Sequence, residues 1–169
     1  MNMANSRFRR KMDITVEEHF SSIASKLVSL VHALEDALGE ERAHEIVSNW
    51  AEKQAVQDIR SIVESLEEPI ESFEDVKKLL HQWVNDINEN NLEEVEITEE
   101  DNTKSVCMVT QCIHATVFEK LDATKIGYLL HCKQDFPAAS AIHPNVGLRR
   151  SKTLMERDDC CDFEYYWKE

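Results

Sequence analysis

Residues 129–137, LLHCKQDFP, bring His131, Cys132 and Asp135 together at the end of an apolar run. Residues three apart on a helix project from one face, so Cys132 and Asp135 would place a thiol and a carboxyl one turn apart. Leu129 and Phe136 flank that face and turn both groups toward the interior edge. A thiol costs little there, whereas a carboxyl needs a donor or a cation. Taken alone, C-x-x-D also reads as a helix end in which the thiol fills core and Asp135 caps a segment or pairs with Arg149 or Arg150. Three further features add weight to the chemical reading. Cys112 stands where a strand hands over to a helix, a position where helix amides can lower a thiol pKa. Cys161 faces inward beside Asp162 in DDCCDFEYYW. Arg149 and Arg150 face opposite sides of a strand, so one must enter the core or a cleft, where a guanidinium needs an anion, either Asp135 or a substrate carboxylate.

Metal binding competes with thiol chemistry. Cys112, His114, His131, Cys132 and Cys161 are ligands that suit zinc or another divalent metal. No C-x-x-C or H-x-x-x-H spacing occurs, and the neighbours Cys160 and Cys161 diverge to opposite strand faces. Serine hydrolase chemistry lacks a nucleophile-elbow glycine pattern. Phosphate-cradling loops are equally absent, the three glycines being scattered at Gly39, Gly127 and Gly147.

The elements that must hold these groups change character near residue 92. Before it, three helices carry start and stop signals. Thr15 and Glu18 form a capping box, and Val16, Phe20, Ile23, Leu27, Leu30, Leu34 and Leu38 predict one buried stripe ending at Gly39. A second helix from about Glu41 turns Ala43, Ile46, Val47, Trp50, Ile59, Ile62, Val63 and Leu66 inward and ends before Pro69. Ser72 caps a third, with Val76, Leu79, Leu80, Trp83 and Ile87 inside. Beyond residue 92 the period falls to two. Val95 and Ile97 alternate with acids, Asp101-Asn102 makes a turn, and Val106 to Thr110 returns. CIHATVFEKL and ATKIGYLLHCKQDF read as two short helices, the second ending near Asp135 or Phe136 because Pro137 disfavours helical geometry before it. A closing hairpin turns at Glu156 to Asp159, and on its last strand Cys161, Phe163, Tyr165 and Trp167 share a face. The expected architecture is α+β: N-terminal helices packed on an antiparallel sheet of about four strands, with two further helices between its hairpins. One domain, 1–169, is expected, helical over 1–91 and carrying the Cys/Asp site over 92–169.

VTQCIHATVFEKLDATKIGYLLHCKQDF, followed by HPNVGLRRSKTLMERDDCCDFEYYW, resembles the L-2-amino-thiazoline-4-carboxylic acid hydrolase family. The matching residues are Cys112, Cys132, Asp135, Cys161, Asp162 and Phe163, over residues 104–167. The chain departs from the family's pattern in its last turn, MERDDCC, where a glycine is common. The resemblance implies hydrolysis of a carbon–nitrogen bond in a small cyclic amidine, a thiazoline carrying a carboxylate. Cys132 would be the nucleophile, with Cys112 and Cys161 as alternatives, and Asp135 would position water or carry the proton. Arg149 or Arg150 would hold the substrate carboxylate, with His131 and His114 also in the binding site. No cofactor is expected, the alternative being a zinc or other divalent ion that activates water. A binding module without turnover, sensor-like for a small molecule or metal, is the competing function.

Composition narrows the partners. A formal charge of −14 with only RFRR and LRRSK as basic spots argues against nucleic acid. No apolar run approaches a membrane span, and the basic start MNMANSRFRRKMD lacks the apolar core of a signal peptide. The cytoplasm is therefore the expected compartment, and there an odd count of five cysteines, all beyond residue 106, argues against a disulfide framework. The expected partner is a small molecule, and a homodimer through the N-terminal helices is the expected assembly if the front stripe is an interface.

Overall fold

A computed structural model of the chain describes residues 13–168, and the basic start before Asp13 lies outside the described residues. Three long helices come first: α1 (Val16–Leu38), α2 (Glu40–Glu64) and α3 (Phe73–Glu89). Thr15 and Glu18 close the capping box, the hydroxyl accepting from the Glu18 amide at 3.1 Å and the carboxylate accepting from the Thr15 amide at 2.7 Å. Gly39, at φ +80°, makes the whole connection between α1 and α2, a left-handed geometry that glycine adopts without strain. At α3 the Ser72 amide and hydroxyl both donate to the Asp75 carboxylate.

The sheet has four strands, β1 (Glu93–Glu100), β2 (Lys104–Cys112), β3 (Val146–Arg149) and β4 (Cys161–Trp167), in the order β1-β2-β4-β3, every pair antiparallel. The α+β expectation holds. Asp101 sets the first hairpin by accepting from the amides of Thr103 and Lys104 at 2.7 and 2.9 Å. Between β2 and β3 run α4 (Ile113–Lys120), α5 (Thr124–Gly127) and α6 (Asp135–Ile142). α5 passes without a break into a π-helical turn, Tyr128–Cys132, closed by the Lys133 amide on the Tyr128 carbonyl at 2.9 Å. One core gathers Val28, Val31, Phe118, Ile126, Leu130 and Met155 where α1 meets α4 and α5. A second gathers Phe73, Val76, Leu79, Ile142 and Val146 where α3 and α6 meet β3.

Several expectations are corrected. The buried stripe of α1 is rotated: Ala24, Val28 and Val31 are buried, whereas Val16, Ile23, Leu30 and Leu38 are exposed. On α2, Ile46, Trp50 and Ile62 are likewise exposed rather than core. Pro137 does not end a helix but sits in the first turn of α6, where its missing N–H would have had no partner anyway. The closing connection is longer than a hairpin turn. β3 stops at Arg149, and a 3₁₀ turn at Leu154–Glu156 followed by Arg157 at φ +71° leads back to β4. Asp162 draws the chain off the ladder by accepting from the amides of Ser151 and Lys152 at 2.8 and 2.6 Å. Among the described residues no helix is long and apolar enough to cross a membrane.

Candidate active site

A cavity of about 250 Å³ lies between the inner face of the sheet and the helices, lined mainly by apolar side chains with a polar end. α3 supplies Leu80, Trp83, Val84 and Ile87. β1 and β2 supply Glu93, Val95, Cys107, Val109 and Cys112, and β4 supplies Cys161, Phe163 and Tyr165. α4, the π turn, α6 and the residue after β3 add His114, His131, Cys132, Asp135 and Arg150. Of the eight site residues expected from the sequence, the cavity brings together Cys112, Cys132, Asp135, Cys161, Arg150, His131 and His114.

Arg149 is a correction. Its side chain lies on the outer face, paired with Glu164 at 2.5 Å and stacked 4.1 Å above the Tyr166 ring. Arg150 turns inward instead: its side chain is 3% exposed and pairs with Asp135 Oδ2 at 2.5 Å. The guanidinium lies 5.7, 5.2 and 5.3 Å from the ring centroids of Tyr128, Phe136 and Phe163, an aromatic box that fixes its direction. Burial pushes the Asp135 carboxyl up to about 7 against the pull of Arg150. Oδ2 is the Asp135 oxygen that accepts from Arg150.

A bulge places Cys112. Val95 pairs with Val109 but Glu94 pairs with Gln111, which leaves Thr110 over and shifts the phase of β2. Cys112 therefore enters the face that Cys107 and Val109 share, opposite its cross-strand partner Glu93. Its thiol donates to Glu93 Oε1 at 3.2 Å. The expected lowering of this thiol at the α4 terminus is overturned. Burial and the Glu93 charge push it far up, and the amides of Ala115 and His114 pull back too little. The other thiols are protonated too. Burial, with the Asp135 charge, pushes Cys132 up to about 12, and burial raises Cys161 and takes Cys107 to about 11. Thr153 links two of them, accepting from Cys161 at 3.7 Å and donating to Cys132 at 3.8 Å, while the Leu154 amide donates to Cys161 at 3.3 Å.

The π turn widens the helix at Tyr128–Cys132 and aims both His131 and Cys132 into the cavity. His131 stacks on His114 at 4.0 Å with 21° between planes, and Phe20 meets His114 edge-on at 5.1 Å. Burial pushes both imidazoles down, His131 to about 3 with the neighbouring His114 adding to the effect, so both are neutral near pH 7. Glu93 was not among the residues expected from the sequence. Its signal was phase: it falls in step with Val95 and Ile97, whereas its neighbours Glu94 and Glu96 are exposed. Thr153, buried behind Cys132 and Cys161, carried no such signal.

The donor set gives no metal cage. A zinc site needs three or four nitrogen, sulfur or oxygen ligands converging on one point. Among the described residues no group of three His, Cys, Asp or Glu side chains does so. What the arrangement can do chemically is pair a thiol with a carboxyl of intermediate acidity, beside neutral imidazoles and a fixed guanidinium.

A family model described as L-2-amino-thiazoline-4-carboxylic acid hydrolase matches residues 19–165. No curated protein matches the sequence. Among solved structures, the phenol-responsive sensory domain of the transcription activator PoxR, determined with phenol, is similar with a TM-score of 0.54 at 12% identity. That likeness covers 94% of this chain and 77% of the other, and it is one of fold. Matched from α1 to β4 with its Cys, Asp and Arg side chains around one cavity, the chain belongs to the L-2-amino-thiazoline-4-carboxylic acid hydrolase family.

Proposed function

We propose that the chain hydrolyses a carbon–nitrogen bond in a small cyclic amidine carboxylate of the L-2-amino-thiazoline-4-carboxylate type. The observation that supports this is the convergence of Cys132, Asp135, Arg150, His114 and His131 on one cavity in a chain of this family. The cavity, about 250 Å³, is smaller than the roughly 300–1,000 Å³ of drug-sized sites, which suits a single five-membered ring. Arg150 gives one N–H to Asp135 and has others for the ligand carboxylate.

Because the Cys132 thiol rests protonated, the reaction starts with proton transfer. Asp135 Oδ1 takes the thiol proton as Sγ bonds to the amidine carbon between the two heteroatoms. The ring carbon–nitrogen bond then breaks, and the nitrogen takes that proton from Asp135. Asp135, again a carboxylate, accepts a proton from water as its oxygen adds to the same carbon. The sulfur leaves and recovers the proton. Cys112 and Cys161 are the alternative nucleophiles, Cys112 with Glu93 as its carboxyl partner. Ring opening measured on Cys132→Ala, Cys112→Ala and Cys161→Ala tests the scheme. Full activity in all three ends the covalent mechanism, and a trapped adduct on Cys132 by mass spectrometry supports it.

A second reading, binding without turnover, is favoured by the protonated state of every cavity thiol and by a fold shared with a sensory domain. Stoichiometric binding of the thiazoline with no product over hours would select it. The five unpaired thiols fit a reducing compartment such as the cytoplasm. Association of two copies through α1 and α2 is also proposed, carried by Leu30 and Trp50, 58% and 52% exposed beside a groove lined by Leu27, Leu34 and Leu130.

A further inference from the structure

Glu93 is a carboxyl that the fold does not need. It opens β1 in phase with Val95 and Ile97, so it joins two aliphatic side chains on the face turned to the cavity. A valine there would pack without the cost of enclosing a polar group. Its hydrogen-bond partner is the Cys112 thiol at 3.2 Å, and among the described residues no cation pairs with it. Burial raises its pKa, as expected of a carboxyl shut away without a counter-charge.

Its place relative to Arg150 is equally informative. β1 and β3 are the two edges of the sheet, with β2 and β4 between them, so three strand spacings or roughly 14 Å separate their backbones. Glu93 starts one edge strand and Arg150 follows the other, and both side chains line the same cavity. The guanidinium is already shared with Asp135, whereas the Glu93 carboxyl holds only a weak thiol donor. A ligand lying across the cavity therefore meets a cation at one end and, at the other, a carboxyl held only by a thiol.

We infer that Glu93 is the specificity residue for the amidine edge of the ligand, bonding its ring nitrogen and exocyclic amino group while Arg150 holds the carboxylate. This rests on the function proposed above. An N–C–N edge and a carboxyl group match atom for atom, two parallel hydrogen bonds closing a ring of contacts. The proton balance closes as well. A basic amidine takes the carboxyl proton and leaves an amidinium facing a carboxylate, and a less basic one accepts the O–H on its ring nitrogen while its amino group donates to the carbonyl. The Cys112 thiol then orients the carboxyl.

Isothermal titration of the full chain with two aromatic probes that resist ring opening tests this: 2-aminothiazole-4-carboxylate and thiazole-4-carboxylate, which lacks the amino group. The wild type is expected to prefer the amino probe by roughly 10–100-fold. Glu93→Met is expected to bind both probes alike, with affinity for the unsubstituted probe unchanged and thermal stability equal or higher. Glu93→Gln, which keeps one acceptor and one donor at the same reach, is expected to restore most of the preference. Should Glu93→Met not fold, Glu93→Ala replaces it. A preference that survives removal of the carboxyl, or a wild type that binds the two probes equally, overturns the role of Glu93 and leaves the proposed function standing. Binding of neither probe overturns both.

Discussion

Replacing Arg150 by methionine separates two contributions that the structure superimposes. The side chain is 3% exposed and stands among three aromatic rings, so methionine keeps much of the packing but loses the cation. Three cation–π contacts at about 0.5–1 kcal/mol each put that loss near 1.5–3 kcal/mol at any pH. The second contribution comes from Asp135, whose folded pKa of about 7 lies above its ordinary value of 3.8. A carboxyl raised on folding binds its proton more tightly in the native state, so stability falls as pH rises through the window between these two values and then levels. Without Arg150 the pull that holds the folded value down is gone, and the fall continues past pH 7 at about 1.4 kcal/mol per unit. Urea unfolding followed by far-UV circular dichroism at pH 5, 6, 7 and 8 reads both parts. The variant should sit a constant distance below wild type up to about pH 6.5 and then diverge by a further 1 kcal/mol or so at pH 8. Asp135→Asn in the same background should remove the divergence. A difference from wild type that stays flat to pH 8 would refute the assignment of Asp135 as the carboxyl that Arg150 keeps charged.

Gly127→Ala should destabilise by about 1–3 kcal/mol in urea unfolding, because an added Cβ would lie 2.7 Å from Met155 Sδ and from Phe118 Cγ. Arg157→Gly should raise stability by up to about 1 kcal/mol, since Arg157 holds a left-handed backbone at φ +71° that glycine adopts freely; a loss would show that its side chain matters more than its backbone. Light scattering should give the wild type twice the chain mass and Trp50→Glu the single mass with an unchanged dichroism spectrum. A wild type at the single mass would end the proposal that α1 and α2 join two copies.

The starts of α1 and α3 were legible because caps are local: Thr15 with Glu18, and Ser72, need only a few residues to be recognised. The buried face of α1 was not. Its apolar positions are numerous enough to draw two stripes, and only the packing of α2 and α4 selects Ala24, Val28 and Val31 over Ile23 and Leu30. The clustering of Cys112, Cys132, Asp135, Cys161 and Arg150 could be anticipated from residue types, but not the means of achieving it. An odd-to-even shift at Thr110 turns Cys112 inward, and strict alternation would have turned it out. The closing turn was misread for a related reason. Glu156 to Asp159 has the composition of a tight turn, yet Asp162 binds the amides of Ser151 and Lys152 and ends β3 early. Glu93 shows the limit from the other side, because an acid among acids on β1 draws no attention until its phase is compared with Val95 and Ile97.

The π turn at Tyr128–Cys132 holds one residue more than an α-helical turn would over the same rise. Winding these same residues as a regular α-helix, with none removed, would rotate everything on one side of the stretch by about 100° relative to the other. If the packed side is α5, anchored by Ile126 and Gly127 against Phe118, then His131 and Cys132 swing out of the cavity. The site could thus be disarmed with every reactive side chain still present in the chain. Its register, rather than its inventory, is the quantity that the π turn controls.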